Sequence, residues 1–368
     1  MSVVISIGTA VPQHKHSQVQ LAEYMSHMYG LQEDEKRKLK LLHAKSAIDI
    51  RYSVLSDFSE KEHASNFFAT AQFPENSPTI DSRLEKYFHH AAPLAGEAIK
   101  DCITSDVPLS AITHLITVSC TGMSAPGIDV ELIKILGLSK DIKRSSINFM
   151  GCYAALHGLQ QADYICRADA GAKVLVVCVE LCTLHFQSNN TLDNWVANSL
   201  FSDGAAAVII TSDEFVKREN ISGFRLEKFH SQIISDGHKD MAWQISSKGF
   251  LMTLSAYIPQ LIEQNLQQFL TNTLEGMNVD KDQISRWAIH PGGRKILDAV
   301  TQELALEDKE LESAYETLRN YGNMSSPTIL FVLKNIFKQQ NESSKQQHTF
   351  AVAFGPGLVM ESVLLKYV

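Results

Sequence analysis

Cysteine is sparse in this chain: six in 368 residues, at Cys102, Cys120, Cys152, Cys166, Cys178 and Cys182, with no CxxC pair. That spacing excludes the usual zinc-binding patterns, and no histidine–cysteine cluster takes their place. Scattered thiols suggest a reducing compartment, so a cytoplasmic location is expected. No apolar run approaches the roughly 20 residues of a membrane span. The opening MSVVISIGTAVPQ lacks the charged region and cleavage site of a signal peptide and reads as a first strand. Basic residues are not in excess: 33 Lys and Arg stand against 41 Asp and Glu, a net charge of −8, which argues against a nucleic-acid partner. There is no glycine-rich phosphate loop, and no Pro- or Ser-rich stretch long enough for a flexible linker.

What the chain does have is a series of short apolar runs that end in glycine or a turn. They are VVISIGTAVP, HLITVSCTG, KVLVVCVEL, AAAVIITSD, RWAIHPGG and TFAVAFGPG. Continuous rather than alternating apolar runs imply strands buried on both faces. Helical patterns such as YFHHAAPLAGEAIKDCI and GIDVELIKILGL lie between them, so a layered α/β fold is expected. The most polar connection, residues 212–240, divides the chain into halves at 1–220 and 221–368. The halves look related. Cys152 follows Ser119 by 33 residues, Asn323 follows His290 by 33, and each end position follows a glycine and opens a helical pattern. This spacing predicts a pseudo-duplicated fold, although chance likeness between α/β segments is the alternative. Cys166, Cys178 and Cys182 lie in apolar runs and read as inert core residues.

SSINFMGCYAALHGLQQADYI, residues 145–165, places Cys152 where a strand-like run gives way to a helix. A helix N-terminus offers free N–H groups and partial positive charge, which favour a thiolate. His290 ends a buried strand just before a glycine turn and can pair with that thiol or take its proton. Asn323 supplies an amide N–H that can stabilise an oxyanion or enolate. Each residue also has a plainer reading, as a core thiol, a hydrogen-bonded strand end and a turn or N-cap. Together they suggest acyl transfer through a thioester.

GCYAALHGL, LFSDGAAAVII, WAIHPGGRKILD, YGNMSSPTILFVL and FGPGL resemble, in order and over nearly the whole chain, the signatures of type III polyketide synthases. These are the chalcone and stilbene synthase family, and the chain reads as a bacterial-type member. The resemblance implies a thiolase-like fold of two pseudo-duplicated halves in αβαβα layers. It implies a homodimer that uses no metal or cofactor and takes malonyl-CoA and a starter acyl-CoA as substrates. It makes Cys152 the acyl-carrying nucleophile, and His290 and Asn323 the pair that holds the thioester carbonyl and the enolate left by decarboxylation. Phe201 matches an aromatic gatekeeper, and Ser325 is kept.

Several positions depart from the family pattern. Met252 stands where a second aromatic gatekeeper is usual and makes a softer wall. His185 and Trp243 replace the smaller Thr and Gly and should shrink the cavity, limiting condensations and sending a long starter into a side tunnel that Met252 can open. Cys120 stands where Thr is common, as a second cavity thiol or a packing substitute. Ala125 replaces a Met that reaches across the plant dimer. Of the residues expected to bind CoA phosphates in SAIDIRY only Arg51 is basic, with Arg294 and Lys295 as candidate substitutes. The charged run DEKRKLKLLHAK reads as a solvated face. Two rival functions remain at this stage. One is a ketoacyl synthase III-like enzyme fed by an acyl carrier protein, and the other is a non-catalytic partner subunit.

Overall fold

The apolar runs become the central strands of one sheet. The structure is a computed structural model that describes residues 1–59, 67–68, 77–237, 239–255 and 257–368. Its strands are β1 (Ser2–Ala10), β2 (His14–Ser17), β3 (Ile50–Ser53), β4 (His114–Ser119), β5 (Lys143–Asn148), β6 (Lys173–Leu181) and β7 (Asp203–Ser212). They continue as β8 (Phe224–Ile233), β9 (Met241–Ser246), β10 (Gly249–Leu254), β11 (Ile284–Ile289), β12 (His348–Gly355) and β13 (Val359–Tyr367). Among the described residues, nine of these form one sheet in the order β11-β12-β13-β8-β1-β7-β6-β4-β5.

The order reads alike outward from its centre, where β1 and β8 pair antiparallel. From β1 the chain passes antiparallel to β7, antiparallel to β6 and parallel to β4. From β8 it passes antiparallel to β13, antiparallel to β12 and parallel to β11. Only the edge strand β5 lacks a counterpart. Two helices, Ala154–Ala168 and Ser326–Lys338, precede β6 and β12 respectively and pack against each other and against strands of both series. They therefore form a middle layer, giving a thiolase-like arrangement.

Strand period explains how β6 is buried on both sides. Val174, Val176 and Cys178 enter the core that holds the two middle helices, while Leu175, Val177 and Val179 enter the core behind the sheet. β7 is buried at every position for the same reason. β5, KRSSIN, is exposed at five of its six residues, which is why no apolar run announced it. No helix among the described residues is long and apolar enough to cross a membrane.

Candidate active site

The sharp turn after β5 sets the position of Cys152. Phe149 has φ 58° and Gly151 φ 79°. A side chain on Gly151 would also place its Cβ 2.2 Å from Pro356 Cδ, so both conformation and space require glycine there. The turn delivers Cys152 to a short 3₁₀ segment, Gly151–Tyr153, that runs into the helix Ala154–Ala168. The thiol is 8 % exposed and donates to Ser325 Oγ at 3.5 Å.

His290 follows β11, and its backbone N–H continues the ladder to Val352 O at 2.9 Å. Its ring is 1 % exposed, and among the described residues neither ring nitrogen has a hydrogen-bond partner. A buried imidazole without a partner is costly in a core, and its position on the cavity wall explains it. Asn323 is fixed on both sides. Its Nδ2 donates to Gly292 O at 3.2 Å, and its Oδ1 accepts from Ser325 N at 2.8 Å. One amide hydrogen remains for a ligand.

Cys152, His290 and Asn323 thus come from three separate segments to one cavity of about 60 Å³. Burial pushes the Cys152 thiol up to about 11, with the Ser325 hydroxyl opposing it. Burial also lowers His290 to about 3. Burial thus works against charge on both groups and opposes the thiolate that helix position favours. The imidazole can then accept the thiol proton as a carbonyl is attacked.

The cavity wall holds most of the other expected residues. Phe201, Met252, His185, Trp243, Ser325 and Cys120 all line it. Trp243 and Met252 face each other across the β9–β10 hairpin. The Trp243 indole donates to Cys120 O at 2.9 Å, so its ring is turned to the cavity and away from the core. His185 stacks on Phe250 with centroids 4.2 Å apart and planes 11° from parallel. Its Nε2 lies 2.8 Å from Thr121 O, and its Nδ1 accepts from Phe250 N at 3.2 Å. Both ring nitrogens are thus occupied, and His185 shapes the wall without a polar contact to offer.

Ala125 is exposed on the loop beyond β4 in the single chain. Cys182, read as a core thiol, is buried and also lines the cavity. A small void of about 20 Å³ adjoins the cavity behind Cys182, Asn198 and Phe201. Arg51 is 3 % exposed and bonded to interior carbonyls, so it does not stand where a solvent-borne phosphate arrives.

Arg294 and Lys295 are exposed and line an open groove that shares Leu254, Gly292 and Ile296 with the cavity. Lys38 and Lys45 stand on the same groove. They belong to the charged run read as solvated. Their seven-residue separation, two helical turns apart, was the signal that they share a face. Glu180 was also missed. A lone acid within the apolar run KVLVVCVEL is itself unusual. It is fully buried and accepts from Cys120 N, Thr121 Oγ1 and Ser326 Oγ at 2.8–2.9 Å. Burial raises its carboxyl to about 7. It ties the β4 turn to the start of the second middle helix, directly beneath the cavity.

Comparison with known proteins shows the family and the fold. Residues 1–214 match the family model for the N-terminal domain of chalcone and stilbene synthases, and residues 225–368 match that for the C-terminal domain. The whole chain is 29 % identical to the Mycobacterium tuberculosis protein named alpha-pyrone synthesis polyketide synthase-like Pks18, covering 92 % of it. It is 30 % identical to the probable polyketide synthase 1 of Dictyostelium discoideum, of which it spans only 11 %. Among solved structures, PKS-I of the brown alga Ectocarpus siliculosus superposes with a TM-score of 0.92 at 29 % identity, over 100 % of this chain and 98 % of that one. The C-terminal type III domain of Steely1, a type I/III hybrid from Dictyostelium, superposes with a TM-score of 0.88 at 29 % identity, over 100 % and 99 % of the two chains. The chain belongs to the chalcone and stilbene synthase family and is a type III polyketide synthase, a condensing acyltransferase of thiolase-like fold.

Proposed function

We propose that this enzyme extends a starter acyl group held on Cys152 by repeated decarboxylative condensation with malonyl-CoA, and then cyclises the product to a small aromatic or pyrone polyketide. The observation that carries the reading is the meeting of Cys152, a His290 ring without a hydrogen-bond partner among the described residues and a half-committed Asn323 amide on one cavity. In the first half-reaction His290 takes the thiol proton as Sγ attacks the starter carbonyl, and returns it to the departing CoA thiolate. In the second, the imidazole and amide N–H groups donate to the malonyl thioester oxygen. Loss of CO2 leaves an enolate on those donors, and its carbon attacks the acyl group on Cys152. The thiolate leaves, and the chain, two carbons longer, is on CoA. In this scheme residues 1–220 supply the nucleophile and 221–368 supply His290 and Asn323.

The groove beside the mouth, which carries Arg294, Lys295, Lys38 and Lys45, suits the CoA phosphates. Replacing Arg294 and Lys295 together with Ala should raise KM for malonyl-CoA more than it lowers kcat, as loss of uniform binding does. An unmoved KM would place the phosphates on Lys38 and Lys45 alone. A homodimer is supported by the free edge strand β5 and by exposed apolar residues on neighbouring segments, Phe88, Met123, Val130 and Ile135. Light scattering on the purified chain tests it, and a monomer would count against it.

The bulk of Trp243 and His185 favours few condensations, because a packed wall relaxes little. Trp243→Gly should lengthen or redirect the product. Thermal melting and product profiling on one sample check this: a large fall in melting temperature with an unchanged product spectrum would make Trp243 a purely structural residue. The functional reading as a whole is tested by product mass spectrometry with malonyl-CoA alone, then with short and long acyl-CoA starters, and with the same starters on an acyl carrier protein. Polyketides from CoA substrates are expected. Turnover from the carrier protein alone would favour the ketoacyl synthase-like alternative.

A further inference from the structure

Arg51 is a buried cation with no carboxylate among its hydrogen-bond partners in the described residues. It sits on β3, and its Nε donates to Gln18 Oε1 at 2.9 Å. Its Nη1 donates to Asn198 O at 2.6 Å and to Phe201 O at 2.8 Å. Those two carbonyls close the C-terminus of the helix Leu192–Leu200, and Gln18 Nε2 holds a third, Ser199 O, at 2.8 Å. Helix C-termini leave carbonyls unpaired and carry partial negative charge, so a guanidinium there is both a hydrogen-bonding cap and an electrostatic match. The planar guanidinium holds Gln18 Oε1 through Nε and both carbonyls through Nη1 in one fixed plane, which a flexible lysine ammonium does not reproduce.

That helix end is mechanically continuous with the site. Phe201, the next residue, lines the cavity. Asn323 N donates to Leu200 O, and Ser202 N donates to Asn323 O, each at 2.9 Å, so Phe201 and Asn323 form an isolated bridge. Arg51 also touches the other side of this junction. A Cβ on Gly322 would lie 2.9 Å from Arg51 Cγ and 2.9 Å from Leu200 O. β3 adds a second clasp, since Tyr52 N donates to Ser202 Oγ at 2.8 Å and Val54 N to Asp203 Oδ2 at 2.9 Å.

We propose that Arg51 is a positioning residue: by capping the helix Leu192–Leu200 it sets, through one backbone junction, both the ring of Phe201 and the amide of Asn323. It rests on the proposed roles of Asn323 and Phe201 and adds the device that aligns them. Arg51 acts without touching substrate. Arg51→Lys keeps the charge but loses the planar group that joins Gln18 Oε1 to the two carbonyls. It is expected to lower kcat for malonyl-CoA decarboxylation and for condensation together, by about 10²-fold, the cost of misplacing a reacting group by about 1 Å. KM for malonyl-CoA should not move. Amide hydrogen exchange should quicken at residues 198–203 and 322–325 and stay unchanged at Cys152, whose turn is built by Phe149 and Gly151. In Arg51→Ala, millimolar guanidinium should restore part of the lost kcat. A raised KM with unchanged kcat would overturn the proposal, as would wild-type kcat per folded molecule in the Lys variant with unchanged exchange at both segments. The functional reading is judged separately, on the wild-type chain, which must decarboxylate malonyl-CoA for that reading to stand.

Discussion

Cys152→Ala is expected to abolish condensation while leaving some malonyl-CoA decarboxylation. The two steps use different groups: chain transfer needs the thiol, whereas the enolate needs only the donors of His290 and Asn323. Two other thiols line the same cavity, Cys120 and Cys182. Neither is placed to substitute. Cys120 Sγ accepts from Gly151 N at 3.0 Å, and burial raises both thiols well above their ordinary range. Cys182 begins only the short 3₁₀ turn Cys182–His185, whereas the 3₁₀ turn of Cys152 runs directly into the helix Ala154–Ala168. Product analysis and a CO2-release assay on one preparation check the split. Normal polyketide formation by the variant would move the nucleophile to one of those two thiols.

His290→Ala is expected to lose both activities by about 10²-fold or more, the scale of removing one oxyanion donor. It should also slow alkylation of Cys152 by iodoacetamide near neutral pH, because the imidazole is the nearby proton acceptor. The wild-type pH profile carries its own sign. Burial holds the free thiol at about 11, so the thiolate is a small fraction near neutrality and grows with pH. Alkylation of the unliganded enzyme should rise about tenfold per pH unit through pH 9 without a plateau. A plateau beginning below pH 7 would mean a preformed ion pair. Alkylation kinetics unaffected by loss of His290 would mean that the helix terminus alone activates the thiol.

The parts of the molecule that were legible in the sequence are those where one residue type has one physical use. Apolar runs marked β1, β4, β6, β7, β11 and β12 because strands buried on both faces have no polar side to show. Equal spacing from Ser119 to Cys152 and from His290 to Asn323 marked two equivalent strand-to-helix passages, now seen as β4 with the helix Ala154–Ala168 and β11 with Ser326–Lys338. β5 was invisible because an exposed edge strand needs no apolar face. Arg51 was misread for a related reason. A lone arginine looks the same in a sequence whether it meets a phosphate or caps a helix end brought to it from 147 residues away. Cys182 and Glu180 lie in one apolar run, and only the packing of the second middle helix turns that segment into the floor of a cavity.

The most direct test of the central claim is the mass of the enzyme itself. After brief exposure to an acyl-CoA starter without malonyl-CoA, the intact chain is expected to gain one acyl group. Peptide mapping should place it on Cys152, hydroxylamine should remove it as it removes a thioester, and Cys152→Ala should gain nothing. An acyl group found on Cys120 or Cys182 with Cys152 unmodified, or sustained polyketide formation with no acyl-enzyme at any thiol, would contradict the account.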